Sequence, residues 1–202
     1  MADSESREMY LKTIYELEDG GEPVAVSQVA ARLGVSAVSA NEMVKRLADD
    51  DLVVHTPYKG VELTGQGRLR ALSVVRRQRL WGRFLADQLG IQWENIYDLA
   101  CRLEHATDDA VTEALAAFLD YPATCPHGNP IPGPDGSIAE AAALSLNEMS
   151  IGQKGMIARI NRPETTLCLY LAEHGVLPGV AVSVEDEAPY NGPLIVSIEG
   201  KE

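Results

Sequence analysis

The chain has 202 residues, is 46% hydrophobic and 23% charged, and carries a formal net charge of −13. That is room for one large domain or two modest ones, with the composition of a globular protein rather than a disordered or fibrous one. No apolar run approaches the roughly 20 residues of a membrane span and "MADSESREMYLK" has no signal-peptide core, so a cytoplasmic location without a membrane partner is expected.

The three cysteines, Cys101, Cys125 and Cys168, are odd in number and far apart, which argues against a disulfide framework. The acidic excess is not uniform. Residues 1–83 hold 12 of the 17 basic and 12 of the 30 acidic side chains, whereas residues 84–202 hold 5 and 18. A polyanionic partner is therefore expected to meet the N-terminal part.

Along the chain, "SESREMYLKTIYELED" has helical periodicity through Tyr10, Ile14 and Leu17, and Gly20, Gly21 and Pro23 are expected to end that helix. Next, Ser27 is expected to cap a helix running to Leu33, Gly34 and Val35 to make a tight turn, and Ser36 to open a second helix ending near Asp50. Val29, Ala30, Leu33, Val35, Met43, Val44 and Leu47 would share one core, the pattern of a helix-turn-helix. "LVVHTPYKGVELT" alternates around a turn and reads as a β-hairpin, the usual wing.

Thr64 then caps a long helix carrying six arginines and one aspartate. Two helices are expected at about 92–106 and 108–120, the second capped by Thr107. "YPATCPHGNPIPGPDGS" has five prolines and three glycines in 17 residues and reads as an irregular loop or linker. Beyond it, "GMIARIN", "VAVSVEDEA" and "LIVSIEG" read as strands, with one helix at about 164–174 closing at Gly175. The expected fold is mostly α with a small β part. Its domains are a winged helix-turn-helix (1–63), a helical domain (64–136, ending in a Pro-rich linker over 122–137) and a small β-barrel (137–202).

One stretch carries chemistry. In "LACRLEHATDD" the residues Cys101, Glu104 and His105 stand at i, i+3 and i+4, so a thiol, a carboxylate and an imidazole share one helix face. Together they make a borderline-soft donor set for a transition metal. Read alone, C-x-x-E-H is better explained as a buried cysteine beside a surface Glu and His. Cys125 and His127 form an isolated C-x-H pair, better explained by loop packing. Cys168, between leucines, reads as core, and His55 and His174 as solvated or structural.

The order of these pieces resembles the diphtheria toxin repressor family, over nearly the whole chain. The most specific segments are "EMYLKTIYELE" at 8–18, "CRLEHA" at 101–106 and "GNPIPG" at 128–133. The resemblance implies a dimeric, metal-activated transcriptional repressor of iron or manganese homeostasis genes, and no enzyme. It implies an SH3-like, FeoA-like third domain. The end at "IEGKE", earlier than that fold usually has, points to an incomplete third domain. In the iron-sensing branch a Met joins a Cys, a Glu and a His, roles that fall here on Met9, Cys101, Glu104 and His105. The soft pair Met9 and Cys101 favours Fe(II), with Co(II), Ni(II), Zn(II) or Mn(II) as substitutes in vitro.

A departure stands beside this match. The family's ancillary metal site falls on Gln78, Gly82 and Tyr97, none a good ligand, so one metal site per subunit is expected. The Tyr97 ring is expected to fill the space at Gly82 and its hydroxyl to bond Gln78. For double-stranded operator DNA, Ser36, Ala37, Val38, Ser39, Asn41 and Glu42 would face base edges in the major groove. Arg32, Lys45, Arg46 and Lys59 would meet phosphates. Rival readings are a redox-activated regulator acting through Cys101, and a metal-storage protein or metalloenzyme. No motif supplies the general base and cleft that the last requires.

Overall fold

Apolar residues recurring every three to four positions wind Ala2–Leu17 into the first helix, α1. It belongs to the first of two units of the chain, formed by Met1–Arg77 with Pro132–Ile138; the second comprises Gln78–Ile131 with Ala139–Glu202. The computed structural model describes residues 2–18, 22–139, 143–161, 163–190 and 192–199. The expected stop at Gly20 and Gly21 and the end of the third domain lie outside them.

In the first unit, α2 (Val26–Leu33) and α3 (Ala37–Asp49) form the helix-turn-helix. Its core gathers Tyr10, Leu11 and Ile14 from α1, Val29 and Ala30 from α2, and Ala40, Met43, Val44 and Leu47 from α3. The turn between them depends on Gly34, whose φ of 66° is left-handed backbone that a side chain would strain. Ser36 caps α3 as expected, its Oγ accepting the Ser39 N–H at 3.1 Å.

Two expectations fail here. The cap of α2 is Ala25, not Ser27, and the Gln28 Oε1 accepts the Ala25 N–H at 3.2 Å. Val35 is 39% exposed rather than core, because it lies in the turn, with its N–H held by the Ala30 carbonyl at 3.0 Å. The wing is an antiparallel hairpin, β1 (Val53–Thr56) on β2 (Gly60–Leu63), with Val53 opposite Leu63. Thr64 joins it to the helix α4 (Gly65–Asp87): its Oγ1 donates to the Asp51 carbonyl at 2.7 Å and accepts the Gly67 N–H at 3.0 Å. At 1.5 Å per residue α4 is about 35 Å long.

In the second unit the expected helix over 92–106 is shorter. A 3-10 turn, Trp93–Asn95, leads into α5 (Ile96–Glu104). The helix α6 (Asp109–Phe118) is capped by Asp108, whose side chain accepts the Val111 N–H, and not by Thr107. The Thr107 hydroxyl is already committed: it donates to the Leu103 carbonyl and accepts from Trp81 Nε1, both at 2.7 Å. Leu85, Ile96 and Ala100 form one apolar cluster with Trp81 and Trp93, and Leu80, Leu115 and Ala116 another with Phe84. The Pro-rich stretch is ordered: the Cys125 N–H meets the Asn129 carbonyl, and the Ile131 N–H the Ala123 carbonyl, each at 2.8 Å.

The third domain carries β3 (Lys154–Met156), α7 (Thr165–Glu173), β4 (Ala181–Glu187) and β5 (Leu194–Ile198). Among the described residues its strands form one antiparallel sheet, β3-β4-β5, with an irregularity between Val184 and Asp186. The first strand is shorter than the expected one over 155–161. Gly175, with a φ of 71°, closes α7 as expected.

Candidate metal centre and nucleic-acid interface

The helix α5 is built for its polarity, with Asp98 in the first turn and Arg102 in the last, each complementing the helix dipole. His105 follows Glu104 with φ −74° and ψ −24°, so helical backbone continues through it and the i, i+3, i+4 relation survives. The ligand atoms of Cys101, Glu104 and His105 all lie within 4.8 Å of one another. Cys101 Sγ donates to Glu104 Oε1 at 3.6 Å, and His105 Nε2 stands 3.5 Å from the same oxygen.

Glu104 is 0% exposed, while Cys101 and His105 are half-buried. A buried carboxylate is costly unless compensated, and a divalent ion among thiolate, carboxylate and imidazole compensates it strongly. The donor set therefore fits a transition metal. Among the described residues these three are the one group of acidic, Cys or His side chains with this convergence. The fourth expected ligand, Met9, lies in the other unit, half-buried on α1. Its neighbour Glu8 pairs with Arg77 on α4 at 2.9 Å, a tether that the sequence pattern did not signal.

The other cysteine–histidine pair is packed away. His127 Nε2 lies 2.9 Å from the Trp93 carbonyl, and its ring meets the Trp93 ring edge-on at 5.2 Å. Burial pushes the His127 pKa down to about 4, against a smaller opposing effect of that carbonyl. Cys125 is buried in the same loop. Cys168 is buried, and desolvation with the nearby Glu94 charge raises its thiol to about 11. His174 bonds the Tyr170 carbonyl of its own helix through Nδ1 at 2.8 Å.

At the ancillary position, the expected contact at Gly82 is wrong. A Cβ there would meet Ile96 Cγ2 at 3.3 Å and Pro126 Cδ at 3.5 Å, so these two residues, and not the Tyr97 ring, close that space. Gln78 is 5% exposed, and its Nε2 has no hydrogen-bond partner among the described residues.

On the helix-turn-helix, Ser36, Ala37, Val38, Ser39, Glu42, Lys45 and Arg46 are exposed along α3, and Lys59 at the wing tip. Asn41 is half-buried and its Nδ2 donates to the Ala37 carbonyl at 2.7 Å, which leaves Oδ1 as its outward acceptor. Arg32 is not a free cation: it faces Glu16 at 3.9 Å. Tyr58, beside Lys59, is fully exposed with a φ of 64°, a wing-tip residue the sequence reading passed over.

A winged helix-turn-helix joined to a helical domain with a thiol–carboxylate–imidazole face and a small β domain defines a metal-dependent transcriptional repressor, a class of regulators and not of enzymes. The model described as "Iron dependent repressor, N-terminal DNA binding domain" matches residues 4–61. That of the "Iron dependent repressor, metal binding and dimerisation domain" matches 64–133, and the FeoA domain 144–202. The iron-dependent repressor IdeR of Mycobacterium leprae (strain TN) is 35% identical over 212 residues, covering 98% of this chain and 90% of that protein. The diphtheria toxin repressor of Corynebacterium diphtheriae is 33% identical over 208 residues, covering 98% and 91%.

Among solved structures, a manganese-dependent transcriptional repressor in complex with manganese is 36% identical, with a TM-score of 0.87 over 96% of this chain and 89% of that one. ScaR with bound zinc is 30% identical, with a TM-score of 0.86 over 96% and 91%. The chain belongs to the diphtheria toxin repressor family.

Proposed function

We propose that this protein is an Fe(II)-responsive repressor that binds palindromic operator DNA as a dimer, with one metal site per subunit formed by Met9, Cys101, Glu104 and His105. The carrying observation is the fully buried Glu104 carboxylate with the Cys101 thiol and His105 imidazole within 4.8 Å of each other. A bound divalent ion supplies the positive charge that this donor set needs and joins ligands from two helices. Cys101 enters as thiolate and His105 as neutral imidazole, so low pH opposes binding. Met9 and Cys101 are softer than the oxygen ligands that suit manganese, which favours iron as the native ion, while zinc and cadmium complexes of ScaR speak for a permissive site in vitro.

The exposed N-terminal turns of α3 present Ser36, Ser39, Glu42 and the Asn41 Oδ1 to base edges, with Ala37 and Val38 placed for thymine methyls. Lys45, Arg46 and Lys59 serve phosphates, and Arg32 does so only by leaving Glu16. A dimer is supported by α6, which leaves Val111 47% and Phe118 65% exposed in the single chain. No described helix is long and apolar enough to cross a membrane, and a DNA-bound regulator works in the cytoplasm.

The test is an anaerobic titration of Fe(II) and of Mn(II) against binding of DNA from the protein's own promoter region. Tight operator binding at lower Fe(II) than Mn(II) supports the reading. DNA binding that ignores both metals and follows oxidation of the thiols refutes it.

A further inference from the structure

The helix α5 has a second set of contacts besides its metal-ligand face. Asp98, one turn before Cys101, accepts a hydrogen bond through Oδ2 from the Thr165 hydroxyl of α7 at 2.8 Å. A second seam runs alongside: the Ile160 N–H donates to the His127 carbonyl at 2.9 Å, and Asn129 Nδ2 to the Ile160 carbonyl at 2.7 Å. Gly128 makes this seam possible. With a φ of 79°, it lets the loop approach so closely that a Cβ would lie 2.1 Å from the Ala158 carbonyl oxygen. His127 in turn leans on Trp93, in the 3-10 turn that leads into α5. All of these contacts lie within one unit and none uses a metal.

From this we infer that α7 and the 158–160 segment of the third domain form a metal-free clamp on α5, and that Asp98, Gly128 and Asn129 act as positioning residues for Cys101, Glu104 and His105. The inference rests on the metal site proposed above. A helix that must present three donors at one point loses affinity when its supports loosen, since each donor then samples more positions. By thermodynamic linkage the effect is reciprocal: metal at α5 steadies α7, although none of the four proposed ligands belongs to α7. The third domain thereby reports metal occupancy without a second ion.

The experiment is hydrogen exchange read by mass spectrometry on the intact dimer, with and without Co(II), and with absorbance of the Co(II)–thiolate bands followed in the same samples. Slower exchange over 164–174 on adding Co(II), with bands present, is the expected result. Gly128→Val and Thr165→Ala should raise that exchange and weaken Co(II) binding by at least about fivefold, the low end of ordinary site-to-site coupling. Thr165→Ser, which keeps the hydroxyl, should restore wild-type behaviour. Bands with unchanged exchange over α7, or a loosened α7 with unchanged Co(II) affinity, overturn the clamp alone. No bands at all overturn the metal site and the clamp together.

Discussion

Two cysteine–histidine groups sit in the same helical domain, and they have opposite fates. Cys101 and His105 lie on one turn of α5 with Glu104 between them, and their donor atoms converge within 4.8 Å. Cys125 and His127 lie in a Pro-rich loop, where the imidazole is turned to the Trp93 carbonyl and held uncharged. The residue types are nearly the same. Backbone geometry decides: a helix stacks i, i+3 and i+4 on one face, whereas the C-x-H stretch lies in a tight turn closed by the Gly128 N–H to Cys125 carbonyl bond and gives its side chains to whatever packs around the loop.

The largest effect that separates the two groups is on DNA binding. Cys101→Ala, Glu104→Ala or His105→Ala should lower operator affinity in saturating Co(II) by on the order of 1,000-fold, matching a DNA-competent state of about 0.1% without metal. The dimer should stay folded. His127→Phe should leave that affinity unchanged, as measured by fluorescence anisotropy on a labelled operator. A ligand-face variant with wild-type metal dependence would remove that residue from the site.

The second effect is on stability and belongs to the loop. His127 has its folded pKa depressed to about 4 from an unfolded value of 6.5, so its contribution is intact above pH 6.5. It is lost as pH falls toward 4, where the unfolded chain has taken up a proton that the fold refuses. That window is worth about 3 kcal/mol. Urea denaturation of the metal-free protein should show this slope in wild type and lose it in His127→Phe. An equal slope in both would show that His127 is not the titrating group.

A third, smaller effect concerns Gly82. Because Ile96 and Pro126 occupy the space beside it, Gly82→Glu should cost about 1–3 kcal/mol through overpacking. Gly82→Ala should be near neutral, with a helix-propensity gain of about 1 kcal/mol offsetting tighter contact. Thermal melts of the two variants distinguish this from an open cavity, which would accept glutamate without loss.

The smallest effects are at the DNA face. Arg46→Ala should weaken specific and random DNA alike and lower the salt slope by about one. Asn41→Ala should relax preference only where a base offers a donor, since its Nδ2 is engaged with Ala37. Equal loss on every sequence for Asn41→Ala would make it a phosphate contact.

What was legible in the chain follows the same division between local and long-range causes. The shared helix face of Cys101, Glu104 and His105, the Ser36 cap, the Thr64 cap and the hairpin are local patterns, and each stands where its spacing put it. The missed caps had competitors: Gln28 serves Ala25, and Thr107 is taken by Trp81 and Leu103. The closure of Gly82 by Ile96 and Pro126 involves residues 14 and 44 positions away, which no local pattern announces. The same holds for the contact of Asp98 with Thr165. That Gln78, Gly82 and Tyr97 are poor metal ligands was readable from the sequence, but the identity of the residues packed beside Gly82 was not.

The central claim, a single site centred on α5, is most directly tested by counting ions. Calorimetric titration of the intact dimer with Co(II), without oxygen, should give one class of sites at one per chain, abolished in Cys101→Ala and still one per chain in His127→Phe. Two tight sites per chain, or one that persists in Cys101→Ala, would contradict it.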